Sequence, residues 1–107
     1  MRPVRFLGTA RRDLAAFPES VRRQAGYELF MVQVGREPAD FKPLPMVGSG
    51  AYEIRIRDAA GAFRVVYVAK FEKTVFVLHA FHKKTRKTAQ ADIRLAAQRY
   101  QLIGEKT

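Results

Sequence analysis

The chain contains no cysteine and no tryptophan. The first absence excludes a disulfide scaffold and every thiolate metal site. Acids are scarce too: 10 stand against 20 lysines and arginines, a formal charge of +10 with neutral histidines. Glu53, Asp58, Glu72 and Asp92 fall at no recognisable metal-ligand spacing. Two-metal phosphodiester chemistry, which needs converging carboxylates, therefore has no visible site. No glycine-rich loop leads into Lys-Ser/Thr, so there is no P-loop, and neither Ser20 nor Ser49 sits in a nucleophile motif. No apolar run approaches the ~20 residues of a membrane span. The start, Met1-Arg2-Pro3-Val4-Arg5-Phe6, lacks the apolar stretch of a signal peptide. These absences lead to the expectation of a cytoplasmic protein, away from the membrane, with no metal and no cofactor.

What is present is a length suited to one core, expected as a single domain over residues 1–107. The positive excess carries a self-repulsion that a polyanionic or acidic partner relieves. Nucleic acid is the first candidate for that partner, and an acidic protein the second.

Alternation at Val4 and Phe6 predicts a short edge strand ended by Gly8. Thr9 is a candidate N-cap for a helix holding Leu14 and Phe17, which Pro18 stops. Val21, Ala25, Leu29 and Val32 then mark one face of an amphipathic helix over Glu19 to Val34, closed by Gly35. Prolines 38, 43 and 45 with Gly48 and Gly50 exclude a regular helix or a central strand from residues 36–50.

Tyr52, Ile54 and Ile56 alternate with Glu53, Arg55 and Arg57, which predicts a strand with one buried and one charged, outward face. A turn at Asp58 to Gly61 leads to a second strand over Ala62 to Phe71, with Arg64, Val66 and Val68 on one side and Phe63, Val65 and Tyr67 on the other. After Glu72-Lys73 comes Val75 to Ala80, apolar enough for a strand buried on both faces. Thr88 is the N-cap candidate of a final helix with Ile93, Ala96, Tyr100 and Ile103 on one stripe, ended by Gly104. The order β-α-α-β-β-β-α, with an antiparallel meander, is an α+β domain.

That third strand delivers Lys83, Lys84, Arg86 and Lys87 to a sheet edge, with no carboxylate between Glu72 and Asp92. Such a layout holds positive charge in front of an anion. RNA alone among phosphodiesters carries its own nucleophile, the 2′-hydroxyl. A protein cleaving it without metal must orient that hydroxyl, move two protons and neutralise the oxyanion on phosphorus. Arginine suits the oxyanion through its bidentate fork and is a poor base. Arg64, a charge inside Phe-Arg-Val-Val-Tyr-Val, is the candidate for it, with Arg57 its expected neighbour across the hairpin. His82, at the strand exit beside Lys83 and Lys84, is the candidate proton carrier. His79 lies on the opposite face and reads as a core histidine. Tyr67 is a core aromatic whose hydroxyl is an accessory candidate.

The string Leu78-His79-Ala80-Phe81-His82-Lys83-Lys84-Thr85-Arg86-Lys87-Thr88, followed by Ala91-Asp92-Ile93 and Ala96, resembles the phage-derived branch of the RelE/HigB toxins of type II toxin–antitoxin systems. So do Tyr52-Glu53-Ile54-Arg55 and Phe63-Arg64-Val65-Val66-Tyr67, and the element order matches along nearly the whole chain. Ala89 stands where the family commonly has proline. The resemblance implies a small RelE-like ribonuclease fold: a curved antiparallel sheet packed by an N-terminal helical hairpin and a C-terminal helix. It implies a metal-independent, ribosome-dependent mRNA endoribonuclease that inhibits translation. It also implies a hetero-oligomer with a HigA-like helix-turn-helix antitoxin. Carried over by position, Arg64 matches the family's strand arginine, and Lys83, Lys84 and Lys87 its basic tail. The expected catalytic set is Arg64, His82, Lys83 and Lys84, with Arg55, Arg57, Arg86 and Lys87 holding RNA. The alternative is a non-catalytic module of the same fold that binds RNA, DNA or the ribosome through the same patch.

Overall fold

β-Branched and aromatic residues at alternating positions build the centre of the molecule, three long antiparallel strands: β3 (Ala51–Asp58), β4 (Gly61–Val68) and β5 (Val75–Lys83). The protein is described here by a computed structural model covering residues 1–106. Around the meander lie β1 (Val4–Phe6), α1 (Ala10–Ala15), α2 (Glu19–Gln33), β2 (Phe41–Pro43) and α3 (Gln90–Lys106). The sheet has five strands in the order β1-β5-β4-β3-β2. β1 joins β5 in parallel and β2 joins β3 antiparallel, so the α+β architecture rests on a mixed sheet. The strand β2 lies within the proline-rich crossing. Its three residues form an edge, where the missing N–H of Pro43 is tolerated.

Each face of the sheet has its own apolar cluster. Val21, Ala25, Leu29 and Val32 of α2 pack with Phe17 over Ile54, Ile56, Phe63, Val65, Val75, Val77 and Ala80. On the other face Ile93, Ala96 and Ile103 of α3 cover Ala51, Val66, Val68, Phe76 and Leu78. The helical stripes expected from spacing are therefore the buried ones.

One irregularity decides what the far half of β5 presents. Tyr67 pairs with Val77, but Val66 pairs with His79, so Leu78 is an extra residue on β5. Such a bulge turns the strand by one side-chain position. Val77 and Ala80 consequently share the hairpin face, while His79, Phe81 and Lys83 share the face of Arg64 and Val66. The Leu78 carbonyl accepts a 2.8 Å hydrogen bond from Arg99 of α3, whose other terminal nitrogen donates to the Thr9 hydroxyl at 3.0 Å. This buried arginine (8% exposed) fastens α3 to the bulge and to the start of α1.

Three local expectations change. Gly104 does not end α3 but lies within it, because nothing there requires a left-handed backbone and the helix continues. Thr88 does not cap α3; the Ala89 carbonyl accepts the Asp92 and Ile93 N–H groups, and the Thr88 hydroxyl goes to Glu53 instead. Thr9 does precede α1, but its hydroxyl donates to Asp13 rather than capping the backbone.

Candidate functional site

The α3 face is covered only in part. Beyond Val66 the sheet presents a polar surface to which four strands contribute. Their registers put Lys42 beside Glu53 and Arg55 beside Arg64, with Arg57 and Lys83 flanking Ala62. These residues share one face by strand alternation.

Glu53 sits at the centre and is completely buried, contrary to the outward, charged position that its alternation with Ile54 suggests. The reason is tertiary. Thr88, 35 residues away, closes over it and donates a 2.9 Å hydrogen bond to Oε2. Oε1 faces Arg64 Nε and Lys42 Nζ, both at 3.5 Å, at ion-pair range without a hydrogen bond. A buried carboxylate is tolerable only with such company.

Arg64 is buried as well, at 6% exposure. Its Nη1 donates to the Phe63 carbonyl at 3.0 Å and its Nε faces Glu53, while Nη2 takes no protein partner among the described residues. Desolvation lowers its pKa from the usual arginine value; Glu53 pulls it back up and Arg55 pushes it further down. The guanidinium borders a recess of about 140 Å³ shared with Asp40, Arg55, Ile56 and Arg57. The residue directly opposite Arg64 is Arg55, not the expected Arg57, which pairs with Ala62. Arg55 is held by Asp40, with Nε at 2.9 Å and Nη2 at 2.8 Å from the same carboxylate oxygen. Arg57 is exposed and takes no ion-pair partner among the described residues.

Lys83 completes this surface. Desolvation, and next the Arg64 charge, hold its ammonium below the ordinary lysine range; Glu53 opposes them, and Lys42 and Arg57 add to the lowering. It also donates to the Arg86 carbonyl, at the start of a loop in which Thr85 bonds Lys87. Lys84, Arg86 and Lys87 are exposed on that loop, which rises from the same end of the sheet.

Two candidates lie elsewhere. His82 pairs with Phe63 and stacks on it at 4.5 Å, which puts it on the hairpin face, away from Arg64. It covers Gly61, whose φ of +131° and lack of side chain let the imidazole approach; a Cβ there would lie 2.5 Å from Nε2. Tyr67 also faces the hairpin, buried beside Tyr52, and burial raises its pKa well above the usual tyrosine value. Neither adjoins Arg64. His79 is on the Arg64 face, as its separation from His82 implies, buried and bonded through Nε2 to Asp92 of α3 at 2.7 Å.

A cation-lined sheet face centred on a buried arginine is thus built by β2 to β5, and the same chain segments carry known relationships. The family described as phage-derived protein Gp49-like (DUF891) matches residues 12–101. A chain in the crystal structure of the toxin–antitoxin complex RelBE2 from Mycobacterium tuberculosis is 33% identical, with a TM-score of 0.51 over 77% of this chain and 98% of that one. The chain belongs to the Gp49-like family of RelE-like toxins. No curated protein matches the sequence. The α+β fold expected from the sequence is the fold of that structure. Among the described residues no group of three histidines, cysteines or acids could hold a metal ion, and no helix is long and apolar enough to cross a membrane.

The residues that sequence reasoning missed are Glu53, Lys42 and Thr88. A glutamate between Tyr52 and Ile54 looks like an ordinary solvated position. Only its cross-strand partner Val66, apolar on both sides along the strand, hints that its face is covered there.

Proposed function

We propose that this RelE-like toxin is a metal-independent endoribonuclease that cleaves mRNA on the ribosome and so inhibits translation. The observation that carries the reading is the position of Arg64: buried, oriented by Glu53 and bordering a recess among Arg55 and Arg57. Guanidinium donors fixed before the substrate arrives need little reorganisation as charge builds on phosphorus, which is where preorganised electrostatics counts most.

In this reading RNA lies across the open half of the α3 face. Arg64 binds the non-bridging oxygens of the scissile phosphate and stabilises the phosphorane formed by 2′-hydroxyl attack. Arg55, Arg57, Arg86 and Lys87 hold flanking phosphates, and Lys84 reaches the strand from the loop. Lys83 shares the face of Arg64 and has a lowered pKa, which makes its ammonium a better proton donor for the leaving 5′-oxygen. His82, on the other face, is then a stacking residue of the turn rather than a proton carrier. The partner is an antitoxin of the HigA-like helix-turn-helix kind. It forms a hetero-oligomer in the cytoplasm that keeps the basic face from RNA.

The test is to induce the chain with and without its neighbouring gene and to map mRNA ends over minutes. Growth arrest with new cuts inside translated frames, relieved by the neighbour, is the expected result. Cuts outside translated frames would remove the ribosome from the reading. Binding of RNA with neither arrest nor cuts would leave a non-catalytic module.

A further inference from the structure

Glu53 is the most deeply buried charged group of the sheet. One cross-strand partner, Val66, and the flanking Tyr52 and Ile54 are apolar, while the other partner, Lys42, and the neighbouring Arg64 bring positive charge. Replacing a whole buried ion pair by apolar side chains is commonly neutral or stabilising, so packing alone does not call for the Glu53–Arg64 pair. A carboxylate kept in such a place is retained for what it organises.

What it organises is specific. Oε1 lies 3.5 Å from both Arg64 Nε and Lys42 Nζ, bringing β2 and β4 to one anion. The Nε edge of Arg64 is thereby turned inward, and Nη1 is taken by the Phe63 carbonyl, which leaves Nη2 for a ligand. Oε2 accepts the Thr88 hydroxyl, and Thr88 ends the loop that carries Lys84, Arg86 and Lys87. One carboxylate therefore reaches both the central arginine and the base of the basic loop.

We infer that Glu53 is the positioning residue of this site: its charge holds Arg64 and Lys42 to one anion, with Arg64 at the edge of the recess it shares with Arg55 and Arg57, and its bond to Thr88 pins the basic loop to the sheet. The inference rests on reading the face as an RNA phosphate site, and it does not require that RNA be cut. Glu53 does not touch the phosphate; it acts through the cations. The groups facing Lys83 are Arg64 from β4, Glu53 and Arg57 from β3 and Lys42 from β2, and Glu53 is the sole anion among them. Loss of its charge leaves Lys83 among cations alone, so the ammonium gives up its proton more readily.

The experiment uses the full chain with two variants, Glu53→Gln and Thr88→Val, each checked for a cooperative unfolding transition. The Lys83 ammonium is titrated by NMR without RNA, and affinity is measured for a 2′-O-methyl oligoribonucleotide, which binds but cannot be cleaved. In Glu53→Gln the Lys83 midpoint falls. In Thr88→Val it is unchanged while affinity drops about tenfold, the weight of a lost hydrogen bond to a charged group. An unchanged midpoint in Glu53→Gln, or unchanged affinity in Thr88→Val, overturns the inference. Should Glu53→Gln not fold, the affinity of Thr88→Val still decides. Binding of the oligonucleotide by the unaltered protein without cleavage of the natural RNA removes only the ribonuclease reading; no binding at all overturns both.

Discussion

On the hairpin side of the sheet, Ile54, Phe63, Val65, Val77 and Ala80 meet Phe17, Val21, Ala25 and Leu29 in a cluster of apolar residues only. On the opposite side the same strands place Val66, Val68 and Leu78 under α3, then give way to Glu53, Arg64 and Lys83 where the helix no longer covers them. The two surfaces are made by alternate residues of the same three strands. The comparison teaches that the first carries the stability and the second uses it. A rigid, fully packed underside lets a buried guanidinium be held in place on the upper side, where burial alone would disfavour it.

The sharpest way to break this comparison is at Arg64. Arg64→Ala is expected to lower RNA cleavage by about 10²–10³-fold, the usual weight of a preorganised oxyanion donor. It also lowers folding stability by about 3 kcal/mol, since Glu53 is left buried with poorer pairing. Arg64→Lys should restore much of the stability and little of the activity, because an ammonium lacks the fork. Cleavage assays beside urea denaturation separate the two effects.

Lys83 and His82 give the next largest contrast. Adjacent in sequence, they face opposite sides. Lys83→Ala is expected to slow cleavage about a hundredfold, and His82→Ala to change it by no more than about threefold. As the proposed proton donor, Lys83 would act in its protonated form, and its pKa is lowered. Activity is therefore lost on the alkaline side, at a pH below the ordinary lysine value of 10.5. A profile unaltered by Lys83→Ala would remove its proton-transfer role.

The comparison is sharpened from below by Ile54→Ala, a wholly buried residue of the hairpin cluster. A loss of about 2–4 kcal/mol is expected in denaturant unfolding, with kcat/KM of the folded protein unchanged. The smallest effect belongs to Asp92→Asn. It weakens the 2.7 Å bond to His79 that ties α3 to β5, costs about 1–2 kcal/mol and leaves RNA binding intact.

Much of this was legible in the chain. The alternation of Tyr52 to Arg57, the helical stripe from Val21 to Val32 and the apolar run from Val75 specify the meander and the hairpin, because each pattern is local and periodic. The parallel joining of β1 to β5 and the short strand β2 were not legible, since three-residue strands carry almost no periodic signal and pairing is a long-range choice. Arg64 was legible as a charge in an apolar strand. Glu53 was not, since its burial depends on Thr88 and on Lys42, neither of them near in sequence. The assignment of Lys83 rather than His82 to the Arg64 face turns on the register between β4 and β5, which no residue pattern displays.

That register has a consequence of its own. The extra residue at Leu78 acts on β5 as a frameshift acts on a message: everything downstream is read on the other side. Were β5 to run regularly with Leu78 paired to Val66, His82 would take the place of Lys83 beside Ala62, and Phe81 and Lys83 would turn to the hairpin face. A slip of one residue in register thus exchanges a lysine for a histidine on the Arg64 face with no change of sequence. The register of this strand is then as informative about mechanism as the identity of the residues on it.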